Sequence, residues 1–321
     1  MTFAGSPDRV EARLVPEHGY EFDAFAVSGL PRHAGLDLLR AAGRALAAPV
    51  ACRRILRRRR PDAVLGAGGY VAGPMVLAAR LDGIPSALSE ADAHLGLANR
   101  LAAPLADRVF LALPLGLRGE KYRAVGRPIP AASRPADREE ARSRLGLSPQ
   151  ARVVLVFGGS LGARLLNDLA LDAWAEHGPA VVHLCGERDY PELRGRASRP
   201  DYILEPFLDE IGVAYGAADV VLARAGGSVW ELAAAGLPAV LVPGAFATGD
   251  HQEKNARWFA DAGGAMVVPE GEAGRAPRVV EELLDDPERL AAMAAAMRAV
   301  AKPDAAEEIA DELVSLAAAR R

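Results

Sequence analysis

Residues 223–252 read ARAGGSVWELAAAGLPAVLVPGAFATGDHQ, and their reading decides how the rest of the chain is understood. The apolar run Asp219-Val-Val-Leu222 leads into Gly226-Gly227-Ser228, and a short Ala-rich segment follows with Glu231 in its first turn. Gly236-Leu-Pro238 stops that segment before a second apolar run, Ala239 to Val242. The pattern predicts strand, glycine turn, short helix, strand. Ser228 falls at the N-cap, where a hydroxyl satisfies a free helix N–H. Gly236 suits C′, and Pro238 cannot continue a helix. Glycines let backbone N–H groups approach a ligand, and a helix N-terminus favours an anion. A carboxylate beside an anion repels it unless it has another task. Glu231 is placed to accept hydrogen bonds from both hydroxyls of a ribose. The stretch reads as a cradle for a nucleoside diphosphate. Its plain alternative is an ordinary strand–helix turn whose first-turn acid suits the helix dipole.

Working outward, Arg152 to Phe157 is an unbroken Val/Leu run, the mark of a buried parallel strand. Gly158-Gly-Ser160-Leu-Gly162-Ala-Arg164 and an amphipathic helix follow, a second phosphate-type loop. It lacks the lysine of a P-loop, which argues against triphosphate hydrolysis. Further strands are predicted at 181–184, 203–205 and 219–222. In the first half, Asp62 to Leu65 is a strand followed by the glycine-rich Gly66 to Pro74 and a helix to Leu81. The strand at Ser86 to Leu88 ends on Ser89-Glu90-Ala91-Asp92, and open α/β sheets place ligand-contacting groups at that end. Leu30 to Arg60 reads as one helical region with a break near Pro49, and it carries nine arginines against one acid, Asp37. A basic amphipathic surface of this kind suits anionic lipid. A solvated helix packed on a sheet is the competing reading.

The chain has 321 residues, near twice the usual domain, which points to two domains. The polar stretch from Ala131 to Gln150 is the connector, giving domains at 1–130 and 131–321. A net charge of −4 implies no general affinity for nucleic acid. Cys52 and Cys185 lie far apart without metal-ligand spacing and read as reduced thiols. No apolar run approaches the roughly 18 residues a membrane span needs.

Taken together these motifs resemble the MurG family of bacterial cell-wall glycosyltransferases. The matching pieces run from Phe3-Ala-Gly-Ser6 through Glu11 to Pro16, Ser28-Gly-Leu30, Leu65 to Pro74, Gly83-Ile-Pro85, Gly96 to Asn99, Gly158 to Arg164, Ala218-Asp219, Arg224 to Pro238 and Asp250 to Ala256. The resemblance implies an α/β fold of GT-B type, two Rossmann-like domains facing a cleft, with the last helix crossing back to the first. It implies inverting transfer of N-acetylglucosamine from UDP-N-acetylglucosamine to the C4 hydroxyl of a lipid-linked muramyl pentapeptide, without a cofactor or metal. It also implies a peripheral enzyme on the cytoplasmic face of the plasma membrane, held to anionic lipid through the region 30–60. Carried over by position, Ser160 meets the diphosphate, the Leu208 backbone meets uracil, and Gly227, Ser228 and Val229 surround the phosphates. Glu231 takes the ribose, and Gln252 holds the sugar hydroxyls.

Three departures stand out. The family opens with a strand, a glycine-rich loop bearing a histidine, and a helix, and none of these is present here. That strand lies mid-sheet, so its loss leaves inner edges unpaired. The expectation is a chain short by one βα unit, about 30 residues. The family's His-Glu-Gln-Asn cluster reads Ser89-Glu90-Ala91-Asp92, and the arginine after its Gly-Asn-Pro motif is Pro130, with Arg127 three residues before it as a substitute. The family's candidate base is the histidine of the missing loop. Among the residues present, Glu90 and Asp92 take that place, Asp92 also as a donor-sugar contact, against the alternative of strand-end carboxylates capping the next helix. Two other functions compete: a related transferase with a different sugar or a lipid or natural-product acceptor, and a truncated, non-catalytic UDP-sugar-binding protein.

Overall fold

The computed structural model describes residues 1–27, 36–159, 162–244 and 251–320, with side chains omitted for 36–46. The chain forms two compact units, one of Met1–Gly126 with Ala306–Arg321 and the other of Arg127–Ala305.

The first unit runs β1 (Thr2–Gly5), α1 (Glu11–Glu17), β2 (Glu21–Ala24), α2 (Leu36–Arg59), β3 (Val64–Gly66), α3 (Gly69–Leu81), β4 (Ser86–Glu90), α4 (Leu97–Ala102), β5 (Arg108–Leu111) and β6 (Tyr122–Ala124). Its strands make two parallel sheets, β1-β2 and β3-β4-β5-β6. Among the described residues β1 and β3 each pair on one side only. Both border one core, where Ala4 packs with Phe25, Cys52, Leu56, Val64 and Met75. The expected break at Pro49 does not occur, and α2 runs through it. Its C-terminal arginines are held inside the unit: Arg53 and Arg57 on Asp82, Arg58 and Arg59 on Asp23, and Arg59 also on Glu21. The Arg59 hydrogen bond, with Arg58 beside it, holds the Asp23 carboxyl below the usual range.

The second unit runs α5 (Arg138–Arg144), β7 (Val153–Phe157), α6 (Arg164–Trp174), β8 (Ala180–Leu184), α7 (Tyr190–Leu193), β9 (Tyr202–Glu205), α8 (Ile211–Ala217) and β10 (Val220–Ala223). It continues through α9 (Val229–Ala235), β11 (Ala239–Leu241), α10 (His251–Asp261), β12 (Ala265–Val267), α11 (Ala276–Leu284) and α12 (Pro287–Val300). All six strands form one parallel sheet in the order β9-β8-β7-β10-β11-β12, the doubly wound order. The central strands are buried on both faces, which is why β7 and β10 read as unbroken apolar runs. Asp219 pins their N-terminal ends, accepting from Val153 N at 2.8 Å and from the buried Arg142 at 2.9 Å. The last helix, α13 (Ala305–Ala318), packs in the first unit, Ile309 against Ala87, Phe110 and Val125, and Glu312 against Arg108 and Arg123.

Candidate functional site

The ladder between β7 and β10 ends on the pair Phe157–Ala223, so the chain leaves both strands side by side into its two glycine turns. The sheet order reverses between these strands: β7 is followed on one side by β8, β10 on the other by β11. Open α/β sheets bind ligands in the crevice that this reversal makes at the carboxyl ends of the strands.

The first turn is held from below. Gly162 has φ +73°, and a Cβ there would lie 2.2 Å from the Cys185 carbonyl oxygen, so only glycine fits. Asn167, in the first turns of α6, donates to Cys185 O and to Asp189, each at 2.9 Å. Its Oδ1 is therefore an acceptor, and it receives from His183 Nε2 at 3.0 Å, while His183 Nδ1 lies 2.9 Å from the Tyr202 hydroxyl. The bonding fixes His183 as the neutral Nε2–H tautomer. Burial pushes its pKa down to about 3. Arg164 is paired with Glu192 and Asp168. Ser160 lies outside the described residues.

The second turn departs from expectation in one detail. Ser228 already has helical angles, φ −62° and ψ −16°, and its side chain caps nothing. A side-chain cap uses an extended N-cap residue. Here the backbone closes the turn instead, Val229 N donating to Gly226 O at 3.3 Å and Trp230 N to Gly227 O at 3.2 Å. The N–H groups of Gly227 and Ser228 donate to no described residue. The Val229 side chain is core. Gly236 ends α9 at φ +67°. The guanidinium of Arg127 lies against Gly227. Asn255 tethers α10 to the turn through Ala225 O at 3.3 Å. Gln252 Oε1 accepts from Gly244 N at 2.8 Å, which commits its carbonyl end and leaves the amide NH2 as a donor.

Glu231, partly exposed, receives a 2.9 Å hydrogen bond on Oε2 from the hydroxyl of Tyr215, which is 1% exposed. Its Oε1 accepts from no described residue. Sequence reasoning missed Tyr215 because it missed α8, whose seven residues include two glycines, poor helix formers. Leu208 is partly exposed in the connection just ahead of α8.

In the first unit the two candidate carboxylates differ. Glu90 is 8% exposed, and its Oε2 accepts from Gly96 N and Asn99 Nδ2 at 2.9 Å each, its Oε1 from Asp92 N at 3.2 Å. It organises the loop into α4. Asp92 is partly exposed at the end of that same strand.

Two family models match the chain: the glycosyltransferase family 28 N-terminal domain over residues 2–111 and the family 28 C-terminal domain over residues 153–309. A UDP-N-acetylglucosamine--N-acetylmuramyl-(pentapeptide) pyrophosphoryl-undecaprenol N-acetylglucosamine transferase of Rubrobacter xylanophilus is 42% identical, across 98% of this chain and 95% of that protein. The transferase of the same name from Halothermothrix orenii is 36% identical across 94% of this chain and 87% of its own length. Among solved structures, MurG of Acinetobacter baumannii superposes with a TM-score of 0.78 at 29% identity, covering 98% of this chain and 90% of that one.

Proposed function

This chain belongs to glycosyltransferase family 28, with the MurG transferases, and has their GT-B fold; from that membership we propose how it works and which residues do it. It is an N-acetylglucosaminyltransferase of peptidoglycan synthesis, moving the sugar from UDP-N-acetylglucosamine to the C4 hydroxyl of undecaprenyl-pyrophosphoryl-N-acetylmuramyl pentapeptide. The observation that carries the site assignment is the placement of two glycine turns side by side at the switch point, with Glu231 just beyond the second.

In this reading the second unit takes the donor and the first the acceptor. The N–H groups of Gly227 and Ser228 meet the diphosphate, and Arg127, lying against Gly227, adds a positive charge in place of the arginine lost at position 130. Negative charge gathers on the diphosphate as UDP departs, so donors already in place favour the transition state over the ground state. Glu231 binds the ribose, the Leu208 backbone the uracil, Gln252 the sugar hydroxyls through its amide NH2, and Ser160 the diphosphate. Attack by the acceptor hydroxyl on the opposite face of the anomeric carbon inverts it and needs a base for the hydroxyl proton. Asp92 takes that role, because the Glu90 carboxylate is buried and committed to three donors.

No helix among the described residues is long and apolar enough to cross a membrane. Attachment to the cytoplasmic leaflet falls to the arginines of the region 30–60, of which Arg54 and Arg60 pair with no acid among the described residues, with anionic lipid as their counter-charge. The test is transfer of labelled N-acetylglucosamine to the lipid-linked acceptor by the full chain, with competing unlabelled UDP- and TDP-sugars. UDP-N-acetylglucosamine is expected to compete best. UDP binding with no labelled lipid product, or preference for another nucleotide sugar, overturns the assignment.

A further inference from the structure

Glu231 has one oxygen engaged, and the other accepts from no described residue. The engaged oxygen is held by a group that has little freedom to move. Tyr215 sits on α8, and α8 is wedged against the segment before α5: a Cβ on Gly212 would lie 2.0 Å from Arg134 O, and one on Gly216 would lie 2.3 Å from Ala136 O. Ala136 N also donates to Gly212 O at 3.0 Å. The Tyr215 ring packs on Phe157, the last residue of β7, with centroids 6.3 Å apart. Thus the hydroxyl that reaches Glu231 is carried on a clamped helix and braced by the strand that feeds the first glycine turn.

We propose that Tyr215 is a positioning residue for the donor: it fixes Oε2 of Glu231 so that Oε1 is presented to the ribose hydroxyls. This rests on the assignment of Glu231 to the ribose and adds what makes that carboxylate selective. A glutamate on a helix surface samples several rotamers, and holding one of its oxygens removes that freedom before the ligand arrives. Burial, and then the adjoining carboxylate, push the Tyr215 phenol well above its ordinary range, so it stays a donor at every pH the enzyme meets.

The test is titration calorimetry of the full chain with UDP and with 2′,3′-dideoxyuridine diphosphate, in the parent protein, Tyr215→Phe and Glu231→Ala. The quantity read is the ratio of the two dissociation constants within each protein, in which any unfolded fraction cancels. Two hydrogen bonds to a carboxylate predict a ratio of roughly 30-fold or more in the parent. Tyr215→Phe keeps the ring on Phe157 and lowers the ratio to about fivefold, by weakening UDP while leaving the dideoxy compound alone. Glu231→Ala brings it near one. The KM for UDP-N-acetylglucosamine rises in Tyr215→Phe with kcat little changed, as loss of uniform binding requires. A parent-like ratio in Tyr215→Phe, with the ratio collapsed in Glu231→Ala, makes Tyr215 a packing residue only and overturns the proposal while Glu231 stands. A parent-like ratio in Glu231→Ala removes the ribose assignment and this proposal with it.

Discussion

The two units solve the same sheet in different ways. The second joins its six described strands in one ladder, and its candidate phosphate-binding groups are backbone N–H donors at the ends of two adjacent strands. The first, among its described residues, has sheets of two and four strands, and its candidate groups are side-chain carboxylates at the end of β4. A backbone site is specified by topology, so glycine spacing alone announces it. A side-chain site is sorted by hydrogen bonding, which spacing does not reveal. Glu90 and Asp92 are two residues apart on one strand end, yet one is sealed by three donors and the other is partly open.

The largest effect expected separates these two carboxylates. Asp92→Asn should lower kcat by roughly 100- to 1,000-fold, the usual weight of a general base, and leave the melting temperature in place. Glu90→Gln should do the reverse. Its new NH2 would confront Gly96 N–H or the Asn99 amide, leaving buried donors unpaired at a cost of about 2 kcal/mol. Steady-state kinetics beside thermal melts decide it. A Glu90→Gln protein that melts normally and turns over slowly would exchange the two roles.

Next in size is a contrast between glycines. Gly162→Ala places a methyl against the Cys185 carbonyl at a left-handed φ, so overpacking and backbone strain add to about 3 kcal/mol. UDP affinity should fall with it, because the loop must shift. Gly69 in the first unit has φ +69° and open space around its missing Cβ. Gly69→Ala should therefore cost about 1 kcal/mol, the backbone strain alone. Urea midpoints of the two variants measure the difference. Equal losses would mean that the packing under the first loop is slack.

Much of this was legible in the residues. The unbroken run Val153 to Phe157, the two glycine turns and the stop at Gly236-Leu-Pro238 each follow from one local rule, and each appears where the pattern puts it. The failures are of two kinds, local and distant. Pro49 was expected to break a helix that continues through it, and Ser228 was expected to cap with a side chain that the backbone turn makes unnecessary. Tyr215 was invisible because α8 is held by tertiary contacts at its glycines rather than by helix propensity. The arginines of α2 gave a charge count, but their acids sit on β2 and at the end of α3, far away in sequence. For Tyr215 and for the α2 arginines a distant partner decided the outcome, and local pattern carries no record of such partners.

A pH dependence tests the network beneath the first loop. His183 is neutral in the folded protein with its pKa near 3, while an unfolded histidine titrates near 6.5. Below 6.5 the unfolded chain therefore binds a proton that the folded chain refuses. Stability then falls as the pH is lowered, by about 1.4 kcal/mol per unit, until the folded state also takes the proton near pH 3. The first unit has the opposite kind of buried group. Asp23 is held ionised by Arg59 and Arg58, with a folded pKa below its ordinary value, so its contribution persists above the unfolded aspartate range and is lost only in stronger acid. Hydrogen exchange read unit by unit between pH 7 and 5 should show protection falling first in the second unit. His183→Gln, which keeps a donor for Asn167 and an acceptor for Tyr202, should abolish that early loss without disturbing the first unit. If both units loosen together in the parent and the variant alike, the buried histidine is not what ties the second unit's stability to pH, and the loop above it stands on packing alone.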